Sequence, residues 1–404
     1  MMRLSAEKLE QKRRDGTCRF LLTGGTGFLG SHLAAALLES GHTVILPARP
    51  SRGLSAAERA DRMLDWLGLG DGMKRQLEVV ECDIARPGFG LAGTDFLRLA
   101  ASVDEIIHCA SDTSFAEHKR ASVEAMNIGG LRNVLELATA SPGCAFVHLV
   151  STAYAAGRNR GFCGETLVRP AGFFNAYEET KCRAEWIARD FCREAGIRLN
   201  IFRPSIVCGD STTGRSPLFS AVYYPVRMVL YLKSLFEKDI RERGGTRARQ
   251  AGAALEPDGA VRLPIRVGTA AGAGVNVIPV DFFTRAFLAL MSESREGGVF
   301  HIVNGHLTRI EHIIDFMSEM FRLRGIEARP IDEIDGGPRN GLETLFDAYL
   351  QAYSPYMRDA RIFGTETSGP LLRKRGISCP AFDSGLFSRC MSYAVDSDWR
   401  DRPF

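Results

Sequence analysis

Tyr177 and Lys181 stand four positions apart in the run Tyr-Glu-Glu-Thr-Lys, a spacing that sets both side chains on one face of a helix, one turn apart. An unperturbed phenol has a pKa of about 10, so an ammonium placed beside it stabilises the phenolate and brings proton transfer within reach at neutral pH. Upstream, Leu-Val-Ser-Thr-Ala-Tyr closes an apolar run and supplies Ser151 and Thr152. A hydroxyl at the carboxyl edge of a strand in an open α/β sheet can hold a substrate carbonyl oxygen beside the phenol. Taken singly, these residues could be an ordinary helix face and a strand-end cap; their order and spacing together point to proton-transfer chemistry.

A second constellation lies near the start. Thr23-Gly-Gly-Thr-Gly-Phe-Leu-Gly30 puts Gly24, Gly27 and Gly30 at three-residue spacing on a turn from an expected strand into an expected helix. Glycine there admits positive φ and lets a pyrophosphate approach the amides of the helix amino terminus, so dinucleotide binding is the expectation. The end of the next strand reads Leu-Pro-Ala-Arg-Pro-Ser-Arg, with Arg49 and Arg52 and no acid. A guanidinium suits a 2′-phosphate by charge and fork geometry, which favours NADP(H) over NAD, although a solvated loop arginine is also common. Asp83, after the third strand, is either an acceptor for the adenine amino group or a turn cap.

The elements that must position these residues follow from apolar periodicity. Buried-strand runs occur at 19–23, 43–48, 77–82, 105–110, 144–151 and 198–202, mostly separated by segments of helical periodicity. Strands that are almost continuously apolar are covered on both faces, so the expected fold class is α/β: a doubly wound, parallel, Rossmann-type sheet with a smaller, mostly helical substrate-binding or lid region. The expected division is a charged leader at 1–16, a nucleotide-binding domain over 17–213 rejoined by patches near 276–280 and 299–304, a lid insertion over 214–274 with a mobile basic loop, and a mostly helical remainder from 306.

A chain of 404 residues, 45% hydrophobic and 25% charged, has the composition of a globular protein, and a net charge of +3 gives no reason to expect a nucleic-acid partner. The ten cysteines form no CxxC pair and no His cluster has metal-ligand spacing, so no metal is expected and the thiols read as reduced, in a cytoplasmic protein. The sequence has no run of about 18 apolar residues and no secretory-type leader.

The glycine motif, His108-Cys-Ala-Ser111, Asn127, the Ser-Thr-Ala-Tyr segment, Tyr-Glu-Glu-Thr-Lys and Arg-Pro-Ser-Ile-Val-Cys-Gly-Asp-Ser-Thr-Thr-Gly at 203–214 together resemble the extended short-chain dehydrogenase/reductase superfamily over about residues 17–305. Phe-Val-His-Leu-Val-Ser-Thr-Ala-Tyr, the 203–214 segment and Asn-Val-Ile-Pro-Val-Asp-Phe-Phe are most similar to the branch holding fatty acyl-CoA reductases, male-sterility proteins and thioester reductase domains. The resemblance implies that Thr152 or Ser151 polarises a carbonyl, Tyr177 delivers a proton, Lys181 binds the nicotinamide ribose, and Asn127 sits near the proton relay. It also implies an NADP(H) crevice formed by Thr23, Gly24, Gly27, Phe28, Leu29 and Gly30, by Arg49, Asp83 and Ile84, by Cys109, Ala110 and Ser111, and by Lys181 with Arg203, Pro204, Ser205 and Ile206. One departure is Asn127-Ile-Gly-Gly-Leu131, where the family usually has Asn-Val-x-Gly-Thr.

The implied reaction is reduction of an acyl thioester of coenzyme A or a carrier protein, to aldehyde or alcohol. The alternatives are a ketone or alcohol oxidoreductase, a nucleotide-sugar dehydratase or epimerase, or an NADP-binding protein without turnover. The aromatic-rich stretch 217–243 could wall an acyl tunnel or touch a membrane surface, and is more commonly a lid core helix. Arg241, Arg243, Arg247 and Arg249 could meet coenzyme A or carrier phosphates, or be a solvated face.

Overall fold

The computed structural model describes residues 17–335, 337–400 and 404, so the leader expected at 1–16 lies outside the described residues. The apolar runs become Arg19–Thr23 (β1), Thr43–Ala48 (β2), Leu77–Glu81 (β3), Glu105–His108 (β4), Phe146–Val150 (β5), Arg198–Pro204 (β6) and Gly298–Ile302 (β7). They form one sheet in the order β7-β6-β5-β4-β1-β2-β3, every adjacent pair parallel. All residues of β4 and β5 are buried, as full coverage by helices on both faces requires. Strand order reverses between β1 and β4, and the carboxyl ends of that pair frame the crevice where doubly wound sheets take ligands.

Three helices matter for the site. Phe28–Glu39 (α1) leaves the glycine turn directly. Ala56–Leu67 (α2) begins at a capping box of Ser55 and Glu58, which satisfies amides that would otherwise lack partners. Ala176–Ala195 (α3) starts at Asn175, whose side chain accepts from the Glu178 amide, and stops at Gly196 in the left-handed region.

Two expectations about the rest of the chain are corrected. The 276–280 patch does not rejoin the main sheet: Val277–Pro279 pairs in parallel with Ile206–Cys208 in a separate two-stranded sheet, while Gly298–Ile302 does join β6. The basic segment expected as a mobile loop contains a helix, Thr246–Ala251, whose buried Ala248 amide donates to Asp239 at 3.0 Å. The mostly helical remainder also carries one longer strand, Leu323–Pro330, which pairs in parallel with Val261–Thr269. One apolar core joins Val226, Val229 and Leu232 of Tyr223–Glu242 (α4) to Leu263, Leu323 and Phe387. The lid segment and the carboxyl-terminal region are thus packed into one unit, because neither could bury its apolar face alone. Among the described residues no helix is long and apolar enough to cross a membrane.

Candidate active site

The glycine turn is built by close approach. Gly24 has φ +71°, and a Cβ there would lie 2.6 Å from the Ala110 nitrogen; a Cβ on Gly30 would lie 2.2 Å from the Gly24 carbonyl oxygen. Any side chain at either position would push β1, β4 and α1 apart. The turn therefore delivers the amino end of α1 to the crevice with Gly27 exposed at its cap, an arrangement whose partial positive charge fits a pyrophosphate. The Thr23 hydroxyl is engaged with the next strand of the sheet. It lies 2.8 Å from His108 Nδ1 and accepts from the Ala110 amide at 3.3 Å, tying β1 to β4. Burial, helped by the Lys181 charge, pushes the His108 imidazole down to about 3, so this histidine is neutral at every physiological pH.

At the carboxyl end of β2, Arg49 and Arg52 are exposed, beside a recess lined by Ser51, Gly53, Ser55, Glu58 and Glu81. Both carboxylates there are committed to α2: Glu81 accepts from the Ala56 amide at 3.1 Å and Glu58 from the Ser55 amide at 2.8 Å. Sequence reading missed Arg59. Its guanidinium donates to Thr26 Oγ1 at 2.6 Å and to the Arg49 carbonyl at 2.8 Å, clamping the glycine turn to the loop after β2. Asp83 makes a local turn, accepting from the Ala85 amide at 3.0 Å, and Asn133 donates to the Ile84 carbonyl at 2.8 Å.

Thr152 lies close enough to Tyr177 to act on its phenol, and its hydroxyl donates to the Pro204 carbonyl at 3.5 Å. Thr152 Oγ1 also accepts from the Tyr154 amide at 3.3 Å. Burial pushes the Tyr177 phenol above its ordinary value, and the Thr152 contact partly offsets this. Lys181, one turn along α3, donates to the Val150 carbonyl at 2.8 Å, and burial lowers its ammonium to about 8. Both groups lie within electrostatic reach of Cys109, whose thiol burial raises to about 11. Asn127 sits in a π-helical turn, Ala125–Gly130, a distortion frequent at functional sites. Its amide accepts from Ser111 Oγ at 3.0 Å and the Asp112 amide at 2.8 Å, and donates to Thr180 Oγ1 at 3.0 Å, fixing the segment after β4 against α3.

Ser151 and Arg203 are placed elsewhere. Ser151 Oγ donates to Glu185 at 2.6 Å, and Glu185 holds Arg203 through two bonds of 2.8 and 2.6 Å, all three side chains being buried. Alternation along an extended strand sends neighbours to opposite faces, so Thr152 reaches the phenol while Ser151 caps a buried ion pair. Pro204 and Ile206 continue the strand edge beside them. Ser205 is different: its hydroxyl is buried without a hydrogen-bond partner, an orphan that a polar cofactor group would satisfy.

The carboxyl-terminal region also contributes, through contacts that no sequence signal announced. Tyr356 Oη donates to Glu178 at 2.8 Å and accepts from Asn175 Nδ2 at 2.8 Å, at the residue next to Tyr177. Phe115 lies between Tyr177, Tyr353 and Tyr356, with ring centroids 5.9, 5.7 and 5.5 Å away, and Tyr353 stacks on Tyr224 of α4 at 5.2 Å. By contrast, Arg241 pairs with Glu237 on its own helix. It stands near the far end of a helix about 30 Å long, away from the Tyr224 end that reaches the site.

A family profile described as male sterility protein matches residues 22–287. The chain is 32% identical over 211 residues to glycine betaine reductase ATRR of Emericella nidulans, covering 48% of this chain and 16% of that one. It is 26% identical over 391 residues to a linear gramicidin synthase of Brevibacillus parabrevis, covering 92% of this chain and 7% of that one. The chain thus spans a small fraction of these relatives' length. In fold it is similar to the terminal R domain of the myxalamid PKS-NRPS pathway, with a TM-score of 0.72 and 23% identity over 95% of this chain and 91% of that one. It is also similar to the UDP-glucose 4-epimerase of Thermotoga maritima, with a TM-score of 0.59 and 20% identity over 94% and 99% of the two chains.

Proposed function

The chain belongs to the male sterility protein family, an NAD(P)-dependent branch of the extended short-chain dehydrogenase/reductases, and from that premise we propose that it is an NADPH-dependent reductase of an acyl thioester. The carrying observation is the approach of Thr152 to the buried Tyr177 phenol at the carboxyl edge of β5, with Lys181, bonded to the Val150 carbonyl at 2.8 Å, one turn further along α3. The fit to a dinucleotide rests on the Gly24 and Gly30 approaches, which leave no room for a Cβ, and on the orphan Ser205 hydroxyl. Gly24, Gly27 and Gly30 would hold the pyrophosphate, Arg49 and Arg52 a 2′-phosphate, and Lys181 and Ser205 the nicotinamide end. When bound, the cofactor supplies the hydride.

The protein's own part is positioning and proton transfer. Thr152 Oγ1 and Tyr177 Oη together hold the thioester carbonyl oxygen, and they stabilise the negative charge that grows on it as the carbon is reduced. Tyr177 Oη gives its proton to that oxygen. Lys181 Nζ, held by the Val150 carbonyl, would bind the nicotinamide ribose one helical turn from the phenol, where a positive charge favours the phenolate. The resulting hemithioacetal breaks its carbon–sulfur bond, releasing thiol and aldehyde; a second round would give the alcohol. The likeness to a protein named as a reductase and to one named as a gramicidin synthase supports a thioester over other carbonyls.

Incubation with NADPH and palmitoyl-CoA, and separately palmitoyl-loaded acyl carrier protein, tests this. Stoichiometric thiol release is expected from at least one. Release from neither refutes it. Turnover of UDP-glucose with retained cofactor would instead select the epimerase-type reading that the fold likeness also supports.

A further inference from the structure

Phe146, Phe202 and Phe387 are sealed in the core, as large apolar side chains ordinarily are. Phe115, Tyr224 and Tyr353 are only half-buried, as is Tyr177. The four form one continuous line. The Phe115 ring lies 5.9 Å from that of Tyr177, Tyr353 lies 5.7 Å from Phe115, and Tyr224 stacks on Tyr353 at 5.2 Å with 25° between the planes. Three separate segments supply the rings beside the phenol: the loop after β4, the first turn of α4, and the residue that precedes Ser354–Met357. Segments so distant in sequence meet at one phenol only through tertiary packing.

Each ring is backed by packed side chains that hold it in place. Tyr224 and Tyr353 rest against the apolar core shared by the lid segment and the carboxyl-terminal region, and Phe115 rests against a smaller cluster that contains Tyr154, Tyr356 and Phe363. Ile206, one residue past the orphan Ser205, packs against both. The backbone that aims Tyr224 is strained. Ala221 has φ +51°, a left-handed conformation that a residue with a Cβ rarely adopts, and its carbonyl accepts from the Tyr224 amide at 3.1 Å. Strain of this kind persists only where the surrounding structure enforces it, and it gathers at ligand sites.

We propose that Phe115, Tyr224 and Tyr353 form the acyl-group subsite and select a thioester whose acyl group carries an aromatic ring. The proposal rests on the thioester reading above and adds the class of acyl group. With the carbonyl oxygen held at Thr152 and Tyr177, an acyl group on the Phe115 side of the phenol runs along Phe115 towards Tyr353. A planar ring there gains offset or edge-on contacts with the wall in addition to apolar burial, whereas an alkyl chain gains burial alone. Rigid backing favours the ring further, because a preformed wall need not be reordered to stack on it.

The test compares 3-phenylpropanoyl with nonanoyl thioesters, each presented on coenzyme A and on acyl carrier protein. Both acyl groups have nine carbons and a methylene beside the carbonyl, and the straight chain is the more apolar, so burial alone favours nonanoyl. The wild type should instead show kcat/KM about three- to tenfold higher for the ring-bearing thioester. Tyr353→Leu and, separately, Tyr224→Leu should bring that ratio to about one or below, while Tyr353→Phe, which keeps the ring, should retain it. A wild-type ratio at or below one overturns the subsite. So does a ratio unchanged in both leucine variants, the result of rings that serve packing alone. Should one leucine variant fail to fold, the wild-type ratio and the other variant decide. Turnover of nonanoyl alone sinks the subsite and leaves the reductase reading standing; thiol release from no thioester, ring-bearing or straight, sinks the reductase reading itself.

Discussion

Replacing Tyr356 with Phe removes one hydroxyl, about 180 residues away in sequence from the helix it steadies. That hydroxyl donates to Glu178 and accepts from Asn175, each at 2.8 Å and buried. A hydrogen bond to a carboxylate contributes about 1.5 to 3 kcal/mol, and an orphaned amide costs about 1 kcal/mol more, so a loss of about 2 to 4 kcal/mol is expected at neutral pH. The loss should depend on pH. Burial raises the Glu178 carboxyl above its ordinary value, and the Phe174 amide and Tyr356 partly oppose that shift. A raised folded-state pKa means that the stability from the protonated carboxyl is fully present below the unfolded value and is lost as pH climbs through the folded one. Without Tyr356 the carboxyl moves higher still, so the deficit should be small near pH 4 and grow towards pH 7. Denaturant midpoints across that range measure it. Because Glu178 adjoins Tyr177, kcat should fall about ten- to a hundredfold, with KM for NADPH unchanged. A deficit independent of pH, or unaltered stability, refutes the reasoning.

Three further outcomes follow from the same geometry. Arg203→Leu should destabilise the protein by about 3 to 5 kcal/mol, measured by urea unfolding, because it strands the Glu185 carboxylate in the core. Thr152→Val should lower kcat about a hundredfold, whereas Ser151→Ala should change kcat little and show its effect in thermal stability, since Thr152 lies against the phenol while the Ser151 hydroxyl is committed to Glu185. Lys181→Met should abolish turnover yet melt no lower than wild type near pH 7, because burial already depresses the Lys181 ammonium to about 8 and the stability it withholds is greatest below that value.

Much of this arrangement was legible in the sequence. Thr43–Ala48 and Glu105–His108 were visible as apolar runs because a strand covered on both faces has no polar side to disguise it. The glycine turn was visible because Gly24 and Gly30 are fixed by sterics that no other residue meets. The choice between Ser151 and Thr152 was not. Neighbours on a strand point to opposite faces, and which face meets α3 depends on the pairing with β6, set by residues some fifty positions later. The 276–280 patch has the composition of a central strand, but it pairs with Ile206–Cys208, a choice made by tertiary register. Tyr356 and Arg59 lay beyond reach for the same reason: a hydrogen bond between distant segments leaves no periodicity in either one.

The most direct test of the central claim is a single-turnover measurement with NADPH and an acyl thioester, following cofactor oxidation and thiol release together in wild type and Tyr177→Phe. The account predicts equimolar oxidation and release in the wild type, with cofactor binding retained and turnover reduced about a thousandfold or more in the variant. Wild-type turnover rates preserved in Tyr177→Phe would contradict it.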